Sequence, residues 1–299
     1  MILFCAAGSI WQLWNFVISI FGAALLWSVC YGASLTAGVS ALLLGGLLSY
    51  LLTGQYEPAL VSVFTIAATA FVLYFGAKRK VPIKALMVIG AAASAFVSFG
   101  VMAYASYLSY GAVSMDLIVT PYMDVLEQYY DYFEKQAVSL SREEFMIRAR
   151  ESMKYLLIGI TISTGIIKSY VSFIMGRFLV KRAYLDPMSS YTHFAGFKLS
   201  REGGFLYFIA YAVMFLINGA QYQLVASNFI IIMSPAFLLA GISAFNFMLD
   251  KLKWSRKRKI IIYVVIFATL LYPSFNLVLG LTAFGAADAI VNYRKIPNG

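Results

Sequence analysis

The chain has 299 residues, 62% of them hydrophobic, 16% aromatic and only 12% charged, with a mean hydropathy of +0.81. A soluble domain carries about 25% charged residues, so this chain has too few polar groups to cover a water-facing surface. The net charge of +10 is no nucleic-acid footprint either, because fifteen of the 23 Lys and Arg residues fall in three stretches, 78–84, 177–201 and 251–259. Each stretch follows or separates long apolar runs, which is how cytoplasmic loops look under the positive-inside rule. The composition therefore implies an all-α, polytopic transmembrane helix bundle, one transmembrane domain over 1–299.

A crossing takes about 20 mainly apolar residues. In chain order, spans are expected near 3–28, 33–53, 58–77, 84–109, 154–180, 204–225, 228–250 and 260–283. With about eight spans, the three basic stretches share one face and the N-terminus lies on the other. The start, Met1-Ile2-Leu3-Phe4, lacks the basic n-region of a cleavable signal, so the first run is expected to stay in the membrane. Cys5 and Cys30 lie in apolar sequence and are expected as buried free thiols. The tail is ambiguous. From Ile260 to Asn292 a single helix would be about 50 Å long, with Pro273 near its centre. It is either a Pro-kinked helix running past the membrane, or a broken, re-entrant one that returns Arg294 and Lys295 to the basic side.

Residues 111–151 form the sizeable extramembrane region. Extended to Lys154, the segment holds eight acids against five bases and so belongs on the non-cytoplasmic side. Thr120-Pro121 predicts a helix start. Tyr122, Val125, Leu126, Tyr129, Tyr132 and Phe133 then recur at helical spacing, opposite Asp124, Glu127, Asp131 and Glu134. Ser141-Arg142-Glu143-Glu144 has the form of a capping box, and the helix it opens is expected to run directly into the fifth span. The product is an amphipathic helical hairpin. Its aromatic side chains serve either as an interfacial belt or, through Tyr122, Tyr129, Tyr132 and Phe133, as a lid over a cavity between the spans.

The chain has one His, His193, and no Cys/His cluster, so no metal site is expected. A GxxxxGK[ST] phosphate loop, HExxH and GxSxG are all missing. Neither an enzyme nor a cofactor is expected. Lys168 stands out. It lies about 20 Å along the helix from Lys154 and about 14 Å from Arg177, too deep for its stem to reach water easily. Thr161, Thr164, Gly165 and Ser172 share its helix face, which is small and polar. Lys168 is therefore either a structural Lys or an anion contact in a cavity, with Asp288, in a late span, as its first-choice protein partner. Asn276, Asn218, Gln221 and Gln223 are weaker candidates for ligand contact. Gly90, Ser94 and Ser98 form a small-residue seam expected to serve helix packing.

The segments "SSYTHFAGFKLSREGGF" and "LGLTAFGAADAIVNYRK", with the acidic hairpin before the fifth span, resemble the YybS-like membrane proteins, a bacterial family of unknown function. The resemblance covers roughly 58–295. It implies residence in the bacterial cytoplasmic membrane and a distant similarity to the substrate-binding subunits of energy-coupling factor transporters. Two functions fit these observations. One is a small-molecule-binding or transport subunit energised by separate ATPase subunits on its basic loops. The other is an accessory or assembly subunit of a larger membrane complex.

The charge pattern makes a direct prediction. Single cysteines replacing Arg182 and Glu144, treated in intact cells with an impermeant maleimide, are expected to label at position 144 alone. The opposite pattern inverts the topology.

Overall fold

The computed structural model describes residues 2–53, 56–128, 130, 141–184, 197–217, 219–271 and 275–295, some of them by backbone alone. Ten helices are described, with no strand among the described residues: α1 (Ile2–Gly32), α2 (Leu35–Thr53), α3 (Tyr56–Lys78), α4 (Ile83–Tyr110), α5 (Met115–Gln128), α6 (Arg142–Tyr184), α7 (Arg201–Leu216), α8 (Ala220–Lys251), α9 (Arg256–Leu271) and α10 (Phe275–Val291). Helix is the form in which so apolar a chain satisfies its own backbone groups. Among the described residues four helical segments are long and apolar enough to cross a membrane: Leu60–Lys78, Ile83–Tyr110, Arg142–Ala183 and Gln221–Lys251. Phe16–Gly32, Leu35–Leu47 and Leu277–Val291 are shorter apolar helices. The described residues form two compact units, divided between Ser190 and Tyr191.

In the first unit, α6 is the axis. Its apolar window is 56% buried, against 33% in each of the other three long segments. Small residues let its neighbours approach. A Cβ on Gly165 would lie 2.9 Å from the Ala91 carbonyl oxygen of α4, and one on Gly176 would lie 2.1 Å from the Trp27 indole nitrogen of α1. Trp27 is fully buried, stacks on Phe173 at 5.6 Å and donates its indole N–H to the Ser172 carbonyl at 2.9 Å. A buried Trp needs such a partner for its one polar atom. Helix α4 runs antiparallel to α6, since Gly90 meets Ser169 while Met102 packs beside the cluster around Leu157. Lys84 thus shares an end with Arg177 and Arg182, and α5 lies at the other.

With 43 residues, α6 is about 65 Å long, roughly twice the ~30 Å hydrocarbon core. Its surplus first turns carry α5. Ser141 caps α6, its Oγ accepting from the Glu144 N–H at 3.3 Å, as the capping-box spacing predicts. The expected start of α5 at Thr120-Pro121 is corrected. The helix begins at Met115, where Ser114 Oγ accepts from the Leu117 N–H at 3.3 Å, and Pro121 lies inside it. The Ser cap satisfies an orphan N–H, and this outweighs the preference of Pro for the first position. The buried stripe is Ile118, Val119 and Met123, packed with Leu157, while Val125 faces out. Ion pairs Lys154–Asp116 at 2.7 Å and Arg142–Glu127 at 2.9 Å fix the antiparallel register.

In the second unit, α7 and α8 form a hairpin in which Tyr207 bonds Ser234 at 2.8 Å. The expected span 204–225 ends instead at Leu216, and Gln223 Nε2, across the break, donates to the Ile217 carbonyl at 3.3 Å. The tail expected by default as one kinked helix is corrected too. Helices α9 and α10 are separate, on either side of 272–274, and α10 returns toward the end from which α9 leaves. Tyr293 packs edge-on to Phe247 at 6.5 Å, and Lys251 reaches its hydroxyl at 3.5 Å. Arg294 and Lys295 therefore come back to the basic end, as the broken-helix alternative holds. A glycine pair makes this return possible. A Cβ on Gly285 would lie 2.1 Å from the Phe237 carbonyl oxygen, and one on Gly241 2.0 Å from that of Leu281.

Because the obstructing atoms are backbone, no rotamer change relieves the clash. Gly285→Leu is expected to destabilise the second unit by about 3 kcal/mol or more, read as a lowered thermal midpoint in detergent. The same substitution at Gly100, where a Cβ meets nothing within 4 Å, is the control expected to leave the midpoint nearly unchanged.

Candidate functional site

The first unit encloses a cavity of about 880 Å³, within the ~300–1,000 Å³ range of small-molecule sites. Helices α1, α2, α3, α4 and α6 wall it. Lys168 and Thr164 come from α6, Thr65 and Ser62 from α3, Ser94, Ser98 and Tyr104 from α4, and Ser19 from α1. Most of the remaining wall is aliphatic. The cavity is not a sealed void, since the lining residues Ile18, Leu25 and Leu108 keep about half of their surface accessible.

Lys168 is 3% exposed, and its Nζ donates to the Thr65 carbonyl oxygen at 2.8 Å. Among the described residues no carboxylate lies within ion-pair distance of it. Three of the lining hydroxyls are committed as donors: Ser19 to Phe16 O at 2.8 Å, Thr65 to Val61 O at 2.6 Å and Thr164 to Thr161 O at 2.9 Å. They turn lone pairs, not protons, toward their surroundings. The site is one deep cation in an apolar, accessible chamber.

A smaller cavity of about 390 Å³ adjoins this one, sharing Thr65, Ser98, Val101 and Thr164 with it and adding Thr161 and Tyr122. Tyr122 belongs to α5, and its hydroxyl reaches Met102 Sδ at 3.6 Å. Burial raises its phenol above the ordinary value. Of the four aromatic residues expected in a lid, Tyr122 stands over this smaller cavity, while Tyr129, Tyr132 and Phe133 lie outside the described residues. His193 lies outside them as well, as does the side chain of Asn276.

The remaining expected site residues disperse. Thr161 lines only the smaller cavity and bonds Leu157 O at 2.7 Å. Ser172 faces α1, donating to Ile20 O at 3.0 Å. Asp288 as the carboxylate for Lys168 is corrected. Its Oδ2 is held by Arg294, from Nη2 at 2.7 Å and Nε at 3.0 Å, with the two side chains 1% and 0% exposed. Asn292, in the left-handed conformation with φ 53°, turns the chain after α10 and brings Arg294 back onto Asp288. Arg294 also donates to Ser243 Oγ at 2.7 Å and to Phe197 O at 2.8 Å. The residues missed by sequence reasoning are Thr65, whose contribution is a backbone carbonyl and carries no side-chain signal, and Tyr104. Ser94 and Ser98 were visible as a seam, but they line the cavity, while Gly90 does the packing, against Ser169.

Four helical segments able to cross a bilayer among the described residues, three of them in the unit that holds the chamber, define a helical membrane protein. The chain belongs to the family described as predicted membrane protein (DUF2232), whose model matches residues 1–284. No curated protein and no solved structure matches it.

Removing one partner of a buried ion pair leaves the other charge uncompensated, at a cost of about 3–5 kcal/mol, whereas replacing both with apolar groups is often near neutral. Arg294→Met is therefore expected to lower the thermal midpoint strongly. The double variant with Asp288→Leu is expected to recover most of the loss, measured by the same unfolding assay in detergent.

Proposed function

We propose that this chain is a small-molecule-binding or transport subunit of the bacterial cytoplasmic membrane, spanning it about eight times, with the α5–α6 hairpin on the non-cytoplasmic side. The observation that carries this reading is the accessible chamber in the first unit with Lys168 set into its wall. A charge at that depth costs about 2.5–3.5 kcal/mol, more than packing alone requires when Met would fill the same space. The small cavity under Tyr122 supports a role for α5 in covering the site. In this reading the chain performs no chemistry and holds no cofactor. No Walker motif occurs in the sequence, so energy comes from partner ATPase subunits docked on the basic cytoplasmic loops. The distant similarity to the substrate-binding subunits of energy-coupling factor transporters that the sequence resemblance implies points the same way.

The test uses the full chain purified in mild detergent. Gly45 lines the chamber, and a Cβ there meets nothing within 4 Å, so Gly45→Trp fills the space without strain at its root. Native mass spectrometry is expected to show a stoichiometric small-molecule adduct on the unaltered chain, lost in Gly45→Trp. An adduct indifferent to Gly45→Trp, or no adduct at all, overturns the reading. A pulldown yielding a stable complex without an ATPase would favour the accessory or assembly role.

A further inference from the structure

From the chemistry of the chamber wall we infer that its ligand is an elongated amphiphile with a single anionic head, the head resting on Lys168 and the apolar body along the chamber. This deepens the ligand-binding reading above and rests on it.

The wall restricts the head. An ammonium has three N–H donors, and one bond of Lys168 is placed, to Thr65 O. Among the described residues no carboxylate, amide, guanidinium or imidazole lines the chamber, and Lys168 is the one charged group among those lining it. A cation in an apolar surround calls for one compensating negative charge. A second charge on the ligand would itself be left unpaired, which disfavours polyanions. Ser19, Thr65 and Thr164 have given their hydroxyl protons to their own helices, which leaves Ser62, Ser94, Ser98 and Tyr104 as the hydroxyl donors of the wall, too few beside so much aliphatic surface to answer a sugar or another polyol. A zwitterion fits no better, because no described residue of the wall is anionic and only hydroxyl lone pairs face its positive end.

The wall also describes the body. Leu25, Leu26, Val29, Leu42, Ile66 and Val101 supply aliphatic surface. Along α4 the lining runs from Ser94 to Leu108, fourteen residues or about 21 Å of helix rise. Lys168 enters near the Ser94 end, because its neighbour Ser169 abuts Gly90, one turn from Ser94. The chamber is thus long, with charge toward one end. Burying a hydrocarbon body there yields roughly 25 cal/mol per Å² relative to water. A membrane-dissolved ligand gains less from its body, and the anionic head then carries the selectivity.

The experiment measures binding of palmitate and of hexadecanol, which share one hydrocarbon chain, to the full-length protein in phosphatidylcholine nanodiscs. Palmitate is expected to bind at least tenfold more tightly. Lys168→Met is expected to abolish that preference while leaving hexadecanol binding in place, and Lys168→Arg to restore it. Gly45→Trp is expected to weaken both. If Lys168→Met fails to fold, the palmitate-to-hexadecanol ratio on the unaltered chain decides. Equal affinities overturn the anionic head. Phosphatidylglycerol added to the disc separates the two sources of such a head: competition identifies a bilayer lipid as occupant and upholds the class, and its absence leaves a single-chain acid. If neither probe binds while a native adduct is still lost in Gly45→Trp, the amphiphile class fails and the ligand-binding reading stands.

Discussion

The first unit is organised around the need to keep one ammonium solvated far from water. Lys168 sits on the most buried of the long helices, where an unsupported charge would cost several kcal/mol. The Thr65 carbonyl supplies one partner. That carbonyl belongs to a helix, so α3 must lie close against α6. Close approach in turn requires small residues where α6 meets its other neighbours, and Gly165 and Gly176 are found there. The chamber is the space left between α6 and the helices α1 to α4 beside Lys168.

The second unit solves a similar problem differently. Arg294 and Asp288 bury opposite charges together, and the guanidinium distributes its remaining donors over Ser243 and Phe197. Asp288 Oδ1 accepts no bond among the described residues. The pair therefore gains less than a fully satisfied one, and its value lies in where it forces the chain to go. It closes the end of α10 and ties the segment after Asn292 to α8. The Gly241–Gly285 crossing then sets how near the two backbones come. Here the charge is neutralised within the protein, whereas Lys168 has been given a carbonyl and an open chamber.

Helix α5 links a set of surface ion pairs to the smaller cavity. Its acids pair with bases on the overlong start of α6, and its apolar stripe covers Leu157. These exposed ion pairs contribute modestly to stability. They suffice to choose a register, and that register places Tyr122 over the smaller cavity.

Composition and charge spacing were enough to specify a helical membrane protein with basic ends. Apolar runs set the helices, and clustered Lys and Arg are a property of the chain before it folds. The Ser141 cap was legible for the same reason, since a capping box involves only neighbours in sequence. Lys168 could be singled out from its distance to the nearest charges along one helix. Its partner could not, because Thr65 offers a backbone oxygen that every residue possesses, and three-dimensional packing alone selected it. Asp288 was legible as a buried acid, but the turn at Asn292 gave it to Arg294. Val125 and Tyr122 share one periodic pattern, yet the rotation of α5 on α6 buried Met123 and left Val125 outside. The sequence determined which segments are apolar and which charges are out of place. Tertiary structure decided which of those charges met an opposite charge and which faced an accessible chamber, because that depends on backbones brought together from distant parts of the chain.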